Sequence, residues 1–144
     1  MKKILAFVLA AVLSLTSVAS AQLGPGSTGI SVLPPGSYNF VIRNLKASVS
    51  VRQGKGTFYG MEVYNGTGAT VYVQVFNQNL YNVSLGFTAP DQEVPCATLT
   101  FCTDQIYLTP GIAFVNGISV GATTTEGGGT PISTNGLEVW IQYQ

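Results

Sequence analysis

Histidine is absent from this chain. That removes every His-based triad, proton relay and imidazole metal site. Cysteine is nearly absent, with Cys96 and Cys102 the only two. Two thiolates without an imidazole make a poor metal site. A disulfide is the natural use of the pair in an oxidising compartment. It would close a short loop, for which the chain-entropy model allows roughly 2–3 kcal/mol. Charge is scarce as well: six basic and six acidic residues. A nucleic-acid binder shows a basic excess, so no nucleic-acid partner is expected. No Ser-x-x-Lys occurs, and beyond residue 21 no stretch carries a helical period. The expectation is a chain with no catalytic residues, no metal site and no cofactor.

What is present begins with an export signal. Lys2 and Lys3 precede an apolar run from Ile4 to Leu15, and Ala19-Ser20-Ala21 is a small-residue cleavage site. The run is too short for a membrane span. Residues 1–21 therefore read as a secretory signal peptide, with no membrane span once it is removed. Cleavage leaves 144 − 21 = 123 residues, enough for one domain. It also takes two of the six basic residues, so four face six acidic ones, a net of −2. Residues 22–35, with three Pro and three Gly, read as a flexible arm. Within it, Ile30-Ser31-Val32-Leu33 has the pattern to add as a strand to its own domain or a neighbour's.

Residues 36–144 read as a single domain of short strands with turns every eight to twelve residues. Tyr38–Arg43 alternates, Ala47–Gln53 does so again, and Leu137–Tyr143 closes the chain. Glu93–Phe101 carries Val94, Leu99 and Phe101, with Pro95 interrupting any central ladder. Ile112–Val115 and Ile118–Ala122 flank Asn116-Gly117, and Ile106–Leu108 leads into a turn at Thr109-Pro110-Gly111. The most regular pattern is Thr57–Asn77, two alternating stretches that predict a central hairpin. A two-residue turn at Asn65-Gly66 would mix aliphatic and aromatic side chains on each face. A longer loop, Asn65–Ala69, sets Val63 against Val71 and Met61 against Val73, which gives one coherent aliphatic face. Tyr59 joins that face. The other face would hold Phe58, Glu62, Tyr64, Tyr72, Gln74 and Phe76. The fold class expected is all-β: an antiparallel β-sandwich, jelly-roll-like, of eight to ten short strands.

Four aromatics, Phe58, Tyr64, Tyr72 and Phe76, form the candidate interface. A large apolar patch of that kind marks a contact surface, and closed symmetry would bury it on every copy. Arg43, Lys46, Arg52 and Lys55 form a candidate basic patch, read also as charges that protect a sheet edge. Asp91, Glu93 and Asp104 are the acids that a disulfide could gather; whether they bind calcium stays open. Gly54-Lys55-Gly56-Thr57 lacks the spacer of a phosphate loop and leads into a strand. Asn65-Gly66-Thr67 and Asn82-Val83-Ser84 are formal glycosylation sequons.

Several segments share their order with one family. They are Gly56-Thr-Phe-Tyr-Gly60 with Val63-Tyr-Asn65; Val71 to Asn77; Val83-Ser-Leu-Gly-Phe-Thr-Ala-Pro90; and Pro110-Gly-Ile-Ala-Phe114 with Asn116-Gly-Ile118. In this order the chain resembles small β-sandwich proteins common in tailed-phage genomes, with secreted bacterial relatives. The resemblance runs from Ala47 to Gln144 and implies a virion or surface structural role. The export signal and the cysteine pair depart from a capsid protein assembled in the cytoplasm, and favour an extracellular, cell-surface or periplasmic relative. The function expected is a non-enzymatic secreted structural or assembly protein acting as a homo-oligomer. The alternative is a carbohydrate- or surface-binding module whose glycan or cell-surface partner sits on Tyr64, Tyr72 or Trp140.

Overall fold

A computed structural model of the protein describes residues 34–103 and 110–144. The signal peptide, most of the arm, Asp104 and Ile106–Leu108 lie outside the described residues. Nine strands are present among the described residues: β1 (Tyr38–Arg43), β2 (Ser48–Gln53), β3 (Gly56–Asn65), β4 (Val71–Phe76), β5 (Gln92–Cys96), β6 (Thr100–Thr103), β7 (Ile112–Phe114), β8 (Gly117–Thr123) and β9 (Leu137–Tyr143). Sheet A has the order β1-β9-β3-β6, with β7 also on β3; sheet B has the order β2-β8-β4-β5.

The pairing has a simple logic. Every pair is antiparallel: β1 with β9, β2 with β8, β3 with β6 and β7, β4 with β5. This is one long ribbon, the first four strands running against the last five. Rolling the ribbon brings β9 beside β3 and β8 beside β4, which closes each sheet. The result is a jelly-roll β-sandwich. Six of the eight connections between successive strands pass from one sheet to the other and arch over the core; β4 to β5 and β6 to β7 stay within a sheet.

The central hairpin does not exist in this arrangement. β3 and β4 lie in different sheets, and both edges of each are filled by other strands. Met61 and Val63 do meet Val71 and Val73 in one core, but across the sandwich rather than side by side. The buried amide of Asn65 holds the arch. Its Nδ2 donates to Ala69 O at 2.9 Å and to Cys96 O at 2.8 Å. Its Oδ1 accepts from the Thr67 N–H at 2.9 Å and from Thr67 Oγ1 at 2.6 Å. All four hydrogen-bonding positions of the side chain are used. Gly66 N–H then donates to Gly136 O at 2.8 Å, docking the arch onto the entry to β9.

Asn116-Gly117 is the same story. β7 belongs to sheet A and β8 to sheet B, so this turn is an arch too. Asn77 Oδ1 accepts from the N–H groups of Val115 and Asn116 at 2.9 and 3.0 Å. Gly117, at φ +136°, sits where a Cβ would come within 3.0 Å of Arg52 O.

A second difference lies inside β3. The pairing with β9 shifts between Phe58 and Gly60, with Tyr59 as the extra residue. Such a bulge re-aims the side chains before it. Phe58 therefore points into the core, where its ring stacks on Phe114 at 5.9 Å. Tyr59 leaves the aliphatic row, and its hydroxyl donates to Gln144 Oε1 at 2.8 Å.

Candidate functional site

The register of sheet A fixes what its outer face carries. One row across the strands is Val41–Trp140–Glu62–Thr103. The next is Arg43–Glu138–Tyr64–Phe101. Alternation turns their neighbours Ile42, Val63, Val139 and Ile141 into the core. Cross-strand pairing thus gathers three rings from three strands. Tyr64 and Phe101 have centroids 4.7 Å apart, and Phe101 and Trp140 6.5 Å apart. These spacings suit tilted and offset contact between aromatic rings. Phe101 remains 46% exposed, and Val41 beside Trp140 is 45% exposed.

The disulfide helps to set this face. Cys96 ends β5 in sheet B and Cys102 lies in β6 of sheet A, and the two are bonded. β6 is only four residues long, and the bond ties it to the other sheet one position after Phe101. Leu99, in the loop so closed, adopts a left-handed φ of +56°, and its N–H donates to Asn65 O at 2.6 Å.

Of the expected interface, only Tyr64 is on this face. Phe58 and Phe76 are fully buried, and Tyr72 lies in sheet B beside Thr123 and Pro95. The four residues cannot act as one surface, because the expected hairpin that joined them is two strands of separate sheets. Trp140 shares the outer face of sheet A with Tyr64, diagonal to it across β9 and β3, and Tyr72 does not. Phe101 and Val41 were missed as site residues. The parity of Phe101 against Cys102 was their available signal: if the cysteine faces the core, the phenylalanine faces out.

The basic patch also divides. Lys46 precedes β2 and Lys55 follows it, so a strand of six residues, about 20 Å, separates them. Arg43 stands on sheet A, at the edge of the aromatic face. The Nε of Arg52 donates to Lys55 O, which keeps that pair at the β2–β3 turn.

The carboxylates on the described part of the acidic group hold loops. Asp91 Oδ2 accepts from Asn77 N–H at 2.6 Å. Glu93 Oε2 accepts from Gln74 Nε2 at 2.7 Å and from Gly127 N–H at 2.9 Å. Among the described residues no group of three or more His, Cys, Asp or Glu side chains could hold a metal ion. The sequon residue Asn65 is buried and fully bonded, while Asn82 is exposed.

The expectation of a chain without a Gly-x-Ser-x-Gly motif is wrong. Gly117-Ile118-Ser119-Val120-Gly121 has the spelling of a nucleophile elbow. It lies within β8 rather than at a strand-to-helix turn. Ser119 is buried, and its hydroxyl donates to Gln78 O at 2.8 Å. With no histidine in the chain it has no imidazole base.

Among the described residues no helix is long and apolar enough to cross a membrane. No protein-family model matches the chain, and no curated protein does. A solved structure of the Tobacco streak virus coat protein is similar to it at 9% identity and a TM-score of 0.39, covering 78% of this chain and 88% of that chain.

Proposed function

We propose that this chain is an exported, non-enzymatic structural protein, of virion-like or cell-surface type, that self-associates through the outer face of sheet A. The observation that carries the reading is the cross-strand cluster of Tyr64, Phe101 and Trp140, flanked by exposed Val41. The core does not need these rings, because it is filled from the other side of the same strands. Aromatic residues with charged neighbours at the rim are the composition of a binding surface. Arg43 and Glu138 stand side by side at one edge, and a two-fold axis passing between them sets each opposite the other's charge. The resemblance to phage-encoded and secreted bacterial β-sandwiches points to the same role. The export signal and the disulfide favour the cell-surface type within it.

A double variant tests this, Phe101→Ser with Trp140→Ser, on the exported mature protein. Light scattering of the wild type should give the mass of two or more copies at micromolar concentration. The variant should give one copy, with a melting temperature within a few degrees of wild type. A wild type of one copy at every concentration overturns the reading. That outcome would favour a second one, since Tyr64 and Trp140 share a platform on which a sugar ring could stack. Glycan capture lost in the same variant would establish it.

A further inference from the structure

The aromatic face is one way for two copies to meet; the border of the same sheet offers another. A sheet edge is a row of unpaired backbone groups, and folded proteins protect it with prolines, bulges, charges or brevity. The described edges differ in this respect. β5 carries Pro95 and is tied down by the disulfide. β2 is broken by a register shift between Ser50 and Arg52, with Arg52 and Lys55 beside it. β6 and β7, which share the far side of β3, have only four and three residues. β1 has only one of these devices, the charge of Arg43 at its last position. It runs six residues in unbroken register with β9, without proline or bulge. Among the described residues nothing pairs with its outer side; Val41 on the outer face is 45% exposed, and Tyr38 on the opposite face 58%.

We propose that this edge pairs antiparallel with β1 of a second copy, Val41 opposite Val41, so that two A sheets become one. The inference rests on the self-association reading and adds where the backbones meet. Parity limits the choice of register. Both cores must stay on the same side of the joined sheet, so residues of like parity must face each other. Pairing Val41 with itself puts Phe40 opposite Ile42 and Asn39 opposite Arg43. Apolar residues then face apolar ones, polar face polar, and no like charges meet. Pairing Phe40 with itself instead sets Val41 against Asn39. The favoured register also places the two Trp140 rings, each beside a Val41, along one continuous strip of the outer face.

Three measurements on the full mature chain test the edge. Val41→Cys should give a disulfide-linked dimer under mild oxidation with the Cys96–Cys102 bond intact by mass, while Asn39→Cys should not. Val41→Lys should lower the scattering mass at an unchanged melting temperature, because the site is exposed. The β1 amides that point away from β9 should exchange more slowly as concentration rises. An oligomer that fails to cross-link through Val41→Cys and whose β1 amides exchange alike at every concentration overturns the edge and leaves the aromatic face standing. Cross-linking that survives in the Phe101→Ser, Trp140→Ser variant supports the edge and removes the face. Edge amides already protected at the lowest concentration, in a chain of one copy, mean that the segment before Pro34 fills the edge of its own domain, and the proposal fails.

Discussion

The two sheets share one core but treat their outer faces differently. Sheet B is covered. The segment from Asn77 to Pro90, with its 3₁₀ turn at Leu80–Asn82, lies over β8 and β2. All seven residues of β8 are buried, and Phe76 on the outer row of β4 is fully buried. The Thr/Gly loop adds to the cover, through Glu93 accepting from Gly127 N–H. Sheet A has no such cover among the described residues, and its outer row keeps Phe101 and Val41 exposed. An aromatic residue on the covered face is core by another route. On the open face it stays at the surface. Phe76 and Tyr64, which the sequence pattern places together, therefore belong to different parts of the molecule's work.

Charge substitutions should separate the faces most strongly. Val73→Asp puts an unpaired carboxylate in the core and should prevent folding. Gln74→Asp, which the alternation alone marks as mild, should also be severe. Gln74 is only 1% exposed and donates to Glu93; an aspartate there sets two carboxylates together in a buried site. A loss of about 3 kcal/mol is expected in denaturant unfolding. Asn39→Asp, on the open face, should cost no more than about 0.5 kcal/mol. Equal losses at the two positions would erase the distinction between the faces.

A smaller effect tests the cover itself. A Cβ at Gly121 would lie 2.6 Å from Leu85 Cδ2 and 3.5 Å from Phe76 Cε2. Gly121→Ala should therefore cost about 1–2 kcal/mol by pushing Leu85 off the sheet. Combined with Leu85→Ala, the loss should be less than the sum of the two single changes. Simple additivity would mean that Leu85 does not seat on β8.

Much of this was legible beforehand, and the reasons are physical. β1 and β9 alternate cleanly and end at turn residues, so their bounds agree with the sequence reading residue for residue. The disulfide is the expected use of the chain's only two cysteines, six apart in sequence. The jelly-roll class follows from strand count and turn spacing. The pairing partners did not follow. Alternation records which residues face the core, and an arch and a hairpin give β3 and β4 the same pattern. Only the competition of β9, β6 and β8 for their edges decides between them, and those contacts are remote in sequence. The bulge at Tyr59 had one local sign, the glycine inside the strand at Gly60, which alternation does not use, and it alone moves Phe58 from the expected interface into the core. The site failed for these two reasons: one reversed residue, and two strands assigned to one sheet.

Trp140 is the chain's one tryptophan and stands on the open face. Its fluorescence therefore reports on the central claim without any substitution. The measurement is its emission maximum and its quenching by acrylamide across a dilution series, beside the scattering mass of the same samples. If the outer face of sheet A is where copies meet, emission should move to the blue and quenching should fall over the same concentrations at which the mass rises. A mass that rises while Trp140 keeps the emission and quenching of the dilute protein would contradict the account.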